Sequence, residues 1–163
     1  TVEVDLDKLC PQVAKPHKVD NVSPIAEVEG TPVQHAIIGT CTNGRIEDLE
    51  VAARILDGKK IAHGMTLTIS PASKAVYIEA IHRGYVETFL RAGATIAIPG
   101  CSGCSGGAYV GIPADGEAVI TTANRNFKGR LGNANSFLYL ASPATVAASA
   151  LTGCIEDSRN YVR

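Results

Sequence analysis

Residues 35–58 read HAIIGTCTNGRIEDLEVAARILDG. His35 to Gly39 is a short apolar run, consistent with a buried strand. Ile46, Leu49, Ala53 and Leu56 then recur at helical spacing. Glu47, Asp48 and Glu50 come early in that segment, where negative charge suits the positive end of a helix dipole. Gly58 supplies a stop. The alternation continues down the chain. MTLTIS (65–70) reads as a second strand, and PASKAVYIEAIHRG (71–84) as a second helix, with Pro71 near its start and Gly84 at its end. Residues 85–92 give a short third helix closed by Gly93. ATIAIP (94–99) is a third strand, and AVITTA (118–123) and SFLYLA (136–141) are further ones. SPATVAASALTG (142–153) reads as a closing helix, with Ser142 as N-cap, Pro143 in the first turn and Gly153 as C-cap.

Strands alternating with helices predict an α/β fold: a layered domain with a mostly parallel sheet flanked by helices. The loops leaving the carboxyl ends of such strands gather on one edge, where ligands bind. Residues 1–34 have a different character. Prolines at 11, 16, 24 and 32 each fix φ and remove a backbone donor. This stretch is expected to be an extended, proline-rich linker or arm without regular elements, and the α/β domain is expected to occupy 35–163.

Bulk properties narrow the function. A length of 163 residues suits one domain with a sizeable core. The net charge of -1 and the absence of a basic block argue against a nucleic-acid or acidic-membrane partner. No apolar stretch approaches the roughly 20 residues of a membrane span. Neither a signal peptide nor an initiator Met is visible, as in a processed chain or an excised domain. An odd count of 5 cysteines does not suit a secreted disulfide framework and points to a reducing compartment, the cytoplasm.

Three segments that leave strands carry unusual chemistry. GTCTNGR (39–45) and PGCSGCSGG (99–107) contribute Cys41, Cys101 and Cys104. TTANRNFKGRLGN (121–133) contributes Arg125 and Arg130, forks suited to carboxylates, and Asn124 and Asn126, which can donate to sulfide or to substrate oxygens. Gly100, Gly103, Gly106 and Gly107 let the backbone turn tightly around the cysteine pair and offer amides to sulfur. A C-x-x-C pair by itself leaves a zinc half-site, a redox pair and part of an iron–sulfur cluster all open. Three thiolates with no obvious fourth fit poorly with a closed structural zinc site.

IIGTCTNGRIEDLEVAA (37–53), PGCSGC (99–104), TTANRNFKGRLGN (121–133) and YLASPATVAASALTG (139–153) resemble the aconitase superfamily, in the correct order. The likeness is closest to its 3-isopropylmalate dehydratase and homoaconitase branch. PQVAKPHKVDNVSPIAEVEG (11–30) is similar to the family's stretch leading into its third domain. The resemblance implies a [4Fe–4S] cluster on Cys41, Cys101 and Cys104, with Thr42, Asn43 and Asn124 beside it. It implies substrate carboxylate on Arg125 and Arg130. It further implies a hydro-lyase that isomerises a small hydroxy-polycarboxylate by dehydration and rehydration, as in leucine biosynthesis. Family large subunits have further domains, and a small swivelling subunit carries the serine base. The chain therefore resembles the third, cluster-ligating domain alone, expected to be inactive without these partners. A non-catalytic binding or regulatory module of the same fold and a zinc-stabilised structural domain are the competing readings. Cys10 and Cys154 read as free buried thiols, His17, His35, His63 and His82 as surface or packing residues, and Asn43 as a cap for the helix beginning near Arg45.

Overall fold

The computed structural model describes residues 1, 3, 5, 9–104 and 111–161. Strands β1 (Gln12–Ala14) and β2 (Val22–Pro24) form a hairpin. β3 (His35–Gly39) runs through a single helical turn, α1 (Thr40–Asn43), into α2 (Ile46–Leu56). β4 (Thr66–Ser70) leads to α3 (Lys74–His82) and α4 (Tyr85–Ala92). β5 (Thr95–Ile96), β6 (Ala118–Thr121) and β7 (Phe137–Leu140) come next, and α5 (Pro143–Thr152) comes after the last strand.

The seven strands of the described residues share one sheet in the order β2-β1-β7-β6-β3-β4-β5. Every pairing from β7 to β5 is parallel, and β1 runs antiparallel to both its neighbours. The α/β fold with a mostly parallel sheet is therefore present. Register fixes where the loops emerge. Gly39 pairs with Ser70, and Ile37 with Thr121, so the chain leaves β3, β4 and β6 at one common edge.

Central strands of a parallel sheet are buried on both faces and read as continuous apolar runs. β3 and β6 obey this rule. Ala36, Ile38, Leu67, Ile69 and Ile120 join Leu49 and Leu56 of α2, Phe89 of α4 and Val146 and Ala147 of α5 in the main core. Each fully buried Leu, Ile or Phe there contributes about 1.5–3 kcal/mol. Ile37, Val119 and Leu138 face the opposite side, where Leu131, from the loop after β6, covers them. One face thus carries helices, while loops of the carboxyl edge reach over the other.

The helix stops match the sequence closely. Gly93 and Gly153 both adopt left-handed conformations at C-caps, and the Ser142 hydroxyl accepts from the Thr145 amide at 3.2 Å. Three expectations need correction. α3 starts after Ser73, not near Pro71, because the Ser73 hydroxyl caps the Val76 amide at 3.3 Å. β5 is far shorter than 94–99, since after Ala97 the chain turns into the cysteine loop. Finally, residues 1–34 are not irregular throughout. β1 pairs with β7 through Ala14 and Leu140, and Val13 and Ile25 are buried in the main core. The prolines permit this because Pro11 precedes β1, Pro16 comes after it and Pro24 ends the outermost strand, where a missing ladder donor costs little.

Candidate metal and anion site at the carboxyl edge

The loop carrying Cys41 is shaped by close backbone contact. Gly39 has φ +116°, and a Cβ there would sit 2.0 Å from the Ser70 carbonyl oxygen. Thr40 comes next at φ 75°, a conformation that β-branched residues rarely adopt. Such a residue costs on the order of 1–3 kcal/mol, and such residues cluster at functional sites. The turn leaves Thr40 buried and Cys41 exposed. Gly44 then passes so near the next loop that a Cβ would lie 2.5 Å from Ser70 O and 2.6 Å from Thr40 O.

The loop after β6 is bolted to this one. Thr122 Oγ1 accepts from the Gly39 amide at 2.8 Å and donates to the Gly39 carbonyl at 3.2 Å. Asn43 Nδ2 donates to the Thr122 carbonyl and, at 3.4 Å, to Asn124 Oδ1. Thr42 Oγ1 donates to the same Asn124 oxygen at 2.9 Å. Asn43 is thus committed to the neighbouring loop. It is not the cap of α2, whose start is closed by Asp48 Oδ2 accepting from the Arg45 amide at 3.0 Å.

The cysteine pair sits on the other flank. The Gly100 amide donates to the Pro71 carbonyl at 2.8 Å, and the Ser70 and Ser102 hydroxyls meet at 2.9 Å. A single 3-10 turn, with the Cys104 amide on the Cys101 carbonyl at 3.0 Å, presents both thiols. Gly103 is pressed against the sheet: a Cβ would come within 3.2 Å of Ile37 Cγ2 and 3.4 Å of Thr40 Cγ2. The turn therefore lies directly on the residue that precedes Cys41. Cys101 is exposed and Cys104 half-buried. Arg130 Nη2 donates to Cys104 Sγ at 2.8 Å, and its guanidinium lies 5.7 Å from the Phe127 ring centroid. Burial pushes the Cys104 thiol above its ordinary pKa; Arg130 pulls it down, Cys101 pushes it up again, and burial prevails.

The structure unites Thr42, Asn43 and Asn124, and separately Cys101, Cys104 and Arg130. Among the described residues, no three His, Cys, Asp or Glu side chains stand close enough to hold one metal ion. Gly106 and Gly107 lie outside the described residues. Arg125 is exposed and, among the described residues, has no ion-pair partner. Asn126 is not available to a sulfide or a substrate oxygen as a donor. It is fully buried, and its Nδ2 donates to the carbonyls of Lys15 and Lys18 at 2.8 and 3.3 Å. Sequence reasoning missed Thr122, Ser70 and Ser102. Their available signal was position: each is a hydroxyl residue at, or in a loop leaving, the carboxyl edge.

A cluster offers a separate iron to each thiolate, so its ligands need not meet at one point as those of a single ion must. The donor set is chemically right for such a group: a thiol pair on one turn and a third thiol on the loop against which that turn packs. Gly103 at the contact, where a Cβ would crowd Ile37 and Ser70 and touch Thr40, fits a close approach of the two loops.

Comparison with known proteins adds an independent observation. The model of the aconitase family (aconitate hydratase) matches residues 1–153. The chain is 53% identical over 161 residues to the 3-isopropylmalate dehydratase large subunit 2 of Archaeoglobus fulgidus, covering 99% of this chain and 38% of that protein. It is 56% identical over 155 residues to a probable methanogen homoaconitase large subunit of Methanosarcina mazei, covering 95% of this chain and 39% of that protein. With the 3-isopropylmalate dehydratase large subunit 1 of Thermotoga maritima it shares 46% identity over 163 residues, 39% of that protein. The chain thus spans about two fifths of the length of these curated relatives.

Proposed function

Because the chain belongs to the aconitase family, we propose that it is the cluster-bearing part of a hydro-lyase large subunit of the 3-isopropylmalate dehydratase and homoaconitase type. It would work in the cytoplasm with the remaining large-subunit domains and a small swivelling subunit, on a small hydroxy-polycarboxylate. Cys41, Cys101 and Cys104 would hold a [4Fe–4S] cluster. When bound, that cluster supplies an iron without a protein thiolate, a Lewis acid toward a hydroxyl and its neighbouring carboxylate.

This chain's own residues then have distinct tasks. Thr122, Thr42 and Asn43 lock the Cys41 loop to the loop after β6. Asn124 accepts from that loop and would stand beside the cluster. Arg130 sets a permanent positive charge against Cys104, which offsets part of the burial that raises the pKa of that thiol. Arg125, unpaired and exposed, is free to take a carboxylate through a two-pronged contact. Proton removal and departure of the hydroxyl fall to partner groups.

The single observation carrying this reading is the seating of the Cys101–Cys104 turn on Thr40, the neighbour of Cys41, with Arg130 touching Cys104. Anaerobic incubation with iron and sulfide tests it. The chain should turn brown and take up both elements, and serine at any one of Cys41, Cys101 or Cys104 should greatly reduce the uptake. Equal iron and sulfide in the triple serine variant would overturn the ligand assignment.

A further inference from the structure

Asn43 and Gly44 form the one Asn-Gly pair in the chain. This is the dipeptide most open to deamidation, because glycine has no Cβ to shield its amide nitrogen from the asparagine side chain. The fold nonetheless requires both members. A Cβ at 44 would lie 2.5 Å from Ser70 O, 2.6 Å from Thr40 O and 3.0 Å from the Ala72 nitrogen, so only glycine fits. Residue 43 must donate: its Nδ2 reaches the Thr122 carbonyl and, at 3.4 Å, Asn124 Oδ1. An aspartate carboxylate would face the same two oxygens with no hydrogen to offer.

A different loop holds each reacting partner. The segment after β6 holds the Asn43 side-chain amide. The segment after β4 holds Gly44, whose carbonyl accepts from the Ala72 amide at 2.8 Å. Asn43 also closes the single turn of α1, so its backbone is helical and that turn sets the position of the Gly44 nitrogen. Closing a ring between them needs a different ψ at Asn43 and a free side-chain amide, and therefore release on both sides. Asn43 is only half-buried, so water reaches the pair once it opens.

We propose that Asn43–Gly44 is a latent deamidation site, kept intact by the loops after β4 and β6, and that its reaction irreversibly unlocks the Cys41 loop. The Gly44 backbone nitrogen attacks Asn43 Cγ. A C–N bond forms, the Cγ–Nδ2 bond breaks, and ammonia leaves with the proton of the Gly44 amide. Water then opens the five-membered imide at either carbonyl, giving aspartate or isoaspartate. Aspartate sets a negative charge against the Thr122 and Asn124 oxygens, and isoaspartate also lengthens the backbone by one carbon within the loop. The reaction involves only the chain and water, so it holds or fails apart from the cluster assignment.

Incubation of the chain in mildly alkaline buffer, folded and in urea, tests this. Tandem mass spectrometry of tryptic peptide 19–45 locates the change, and methyltransferase labelling reads isoaspartate. Residue 43 should convert in urea, and at least about tenfold more slowly in the folded chain, where two hydrogen bonds must first be given up. Asn124→Ala, at an exposed position, removes one of these bonds together with the Thr42 bond at 2.9 Å. It should speed conversion of the folded chain about fivefold. Asn43→Gln cannot close a five-membered ring and should stay unmodified. No conversion at 43 in urea, equal rates folded and unfolded, or a folded rate unchanged by Asn124→Ala would each overturn the proposal. Asn43→Asp reads the consequence: hydrogen exchange at the amides of 39–44 should be about tenfold faster or more. Exchange as slow as in the parent would show that deamidation leaves the loop locked, and would overturn the unlocking.

Discussion

Replacing Thr122 by Val keeps its shape and removes one oxygen. That oxygen ties the segment after β6 to the Gly39 backbone: it accepts from the Gly39 amide at 2.8 Å and donates to the Gly39 carbonyl at 3.2 Å. Thr122 is 1% exposed, so water does not replace it. A buried amide left without an acceptor costs about 1–3 kcal/mol, and the second bond is worth about 1 kcal/mol. The sum, roughly 2–4 kcal/mol, is a large share of the 5–15 kcal/mol that holds a typical domain together. For a chain of this size it lowers the melting temperature by roughly 5–15 °C. Thr122→Ser keeps the oxygen and loses one methyl group, costing about 0.5–1.5 kcal/mol. Urea denaturation of the three chains gives the ranking, and hydrogen exchange at Gly39 gives the location. Val should speed exchange of the Gly39 amide and Ser should not. A Val variant within about 0.5 kcal/mol of the parent, or a Ser variant as unstable as Val, would refute the claim that this hydroxyl holds the Cys41 loop.

Other changes have equally definite outcomes. Gly44→Ala places a carbon 2.5 and 2.6 Å from two backbone oxygens that no side-chain motion can clear, so a loss of more than about 3 kcal/mol is expected in denaturant; full stability would mean that the loops are farther apart. Glu117 is held below the ordinary carboxylate range chiefly by its hydrogen bond with His35, at 2.9 Å, and then by the Ala114 amide. Its contribution is therefore complete above the usual Glu value and disappears as pH falls through the lowered folded value. Glu117→Gln should accordingly flatten the acid limb of a urea-midpoint profile, and an unchanged limb would contradict the pairing. Asn126→Ala removes the donor to Lys15 and Lys18 while also removing Asn126 Oδ1, which is buried without a partner. The fold should survive with protease cleavage accelerated between residues 15 and 21; an equally resistant hairpin turn would show that the amide does not anchor it.

Much of the architecture was legible in the chain itself because it depends on local pattern. Alternating apolar runs and helical spacing imply a parallel sheet, and a parallel sheet sends its loops to one edge. That reasoning brought the segments of Cys41, of Cys101 and Cys104, and of Arg125 and Arg130 to the same side. Glycines and Ser142 marked helix ends because capping needs only neighbouring atoms. Tertiary structure alone decided the long-range assignments. Asn43 serves a loop 79 residues away instead of its own helix. Asn126 reaches back 111 residues to hold a hairpin in a stretch whose prolines suggested none. A hydrogen bond is satisfied by whichever partner the fold brings within about 3 Å, and sequence spacing carries no record of that distance.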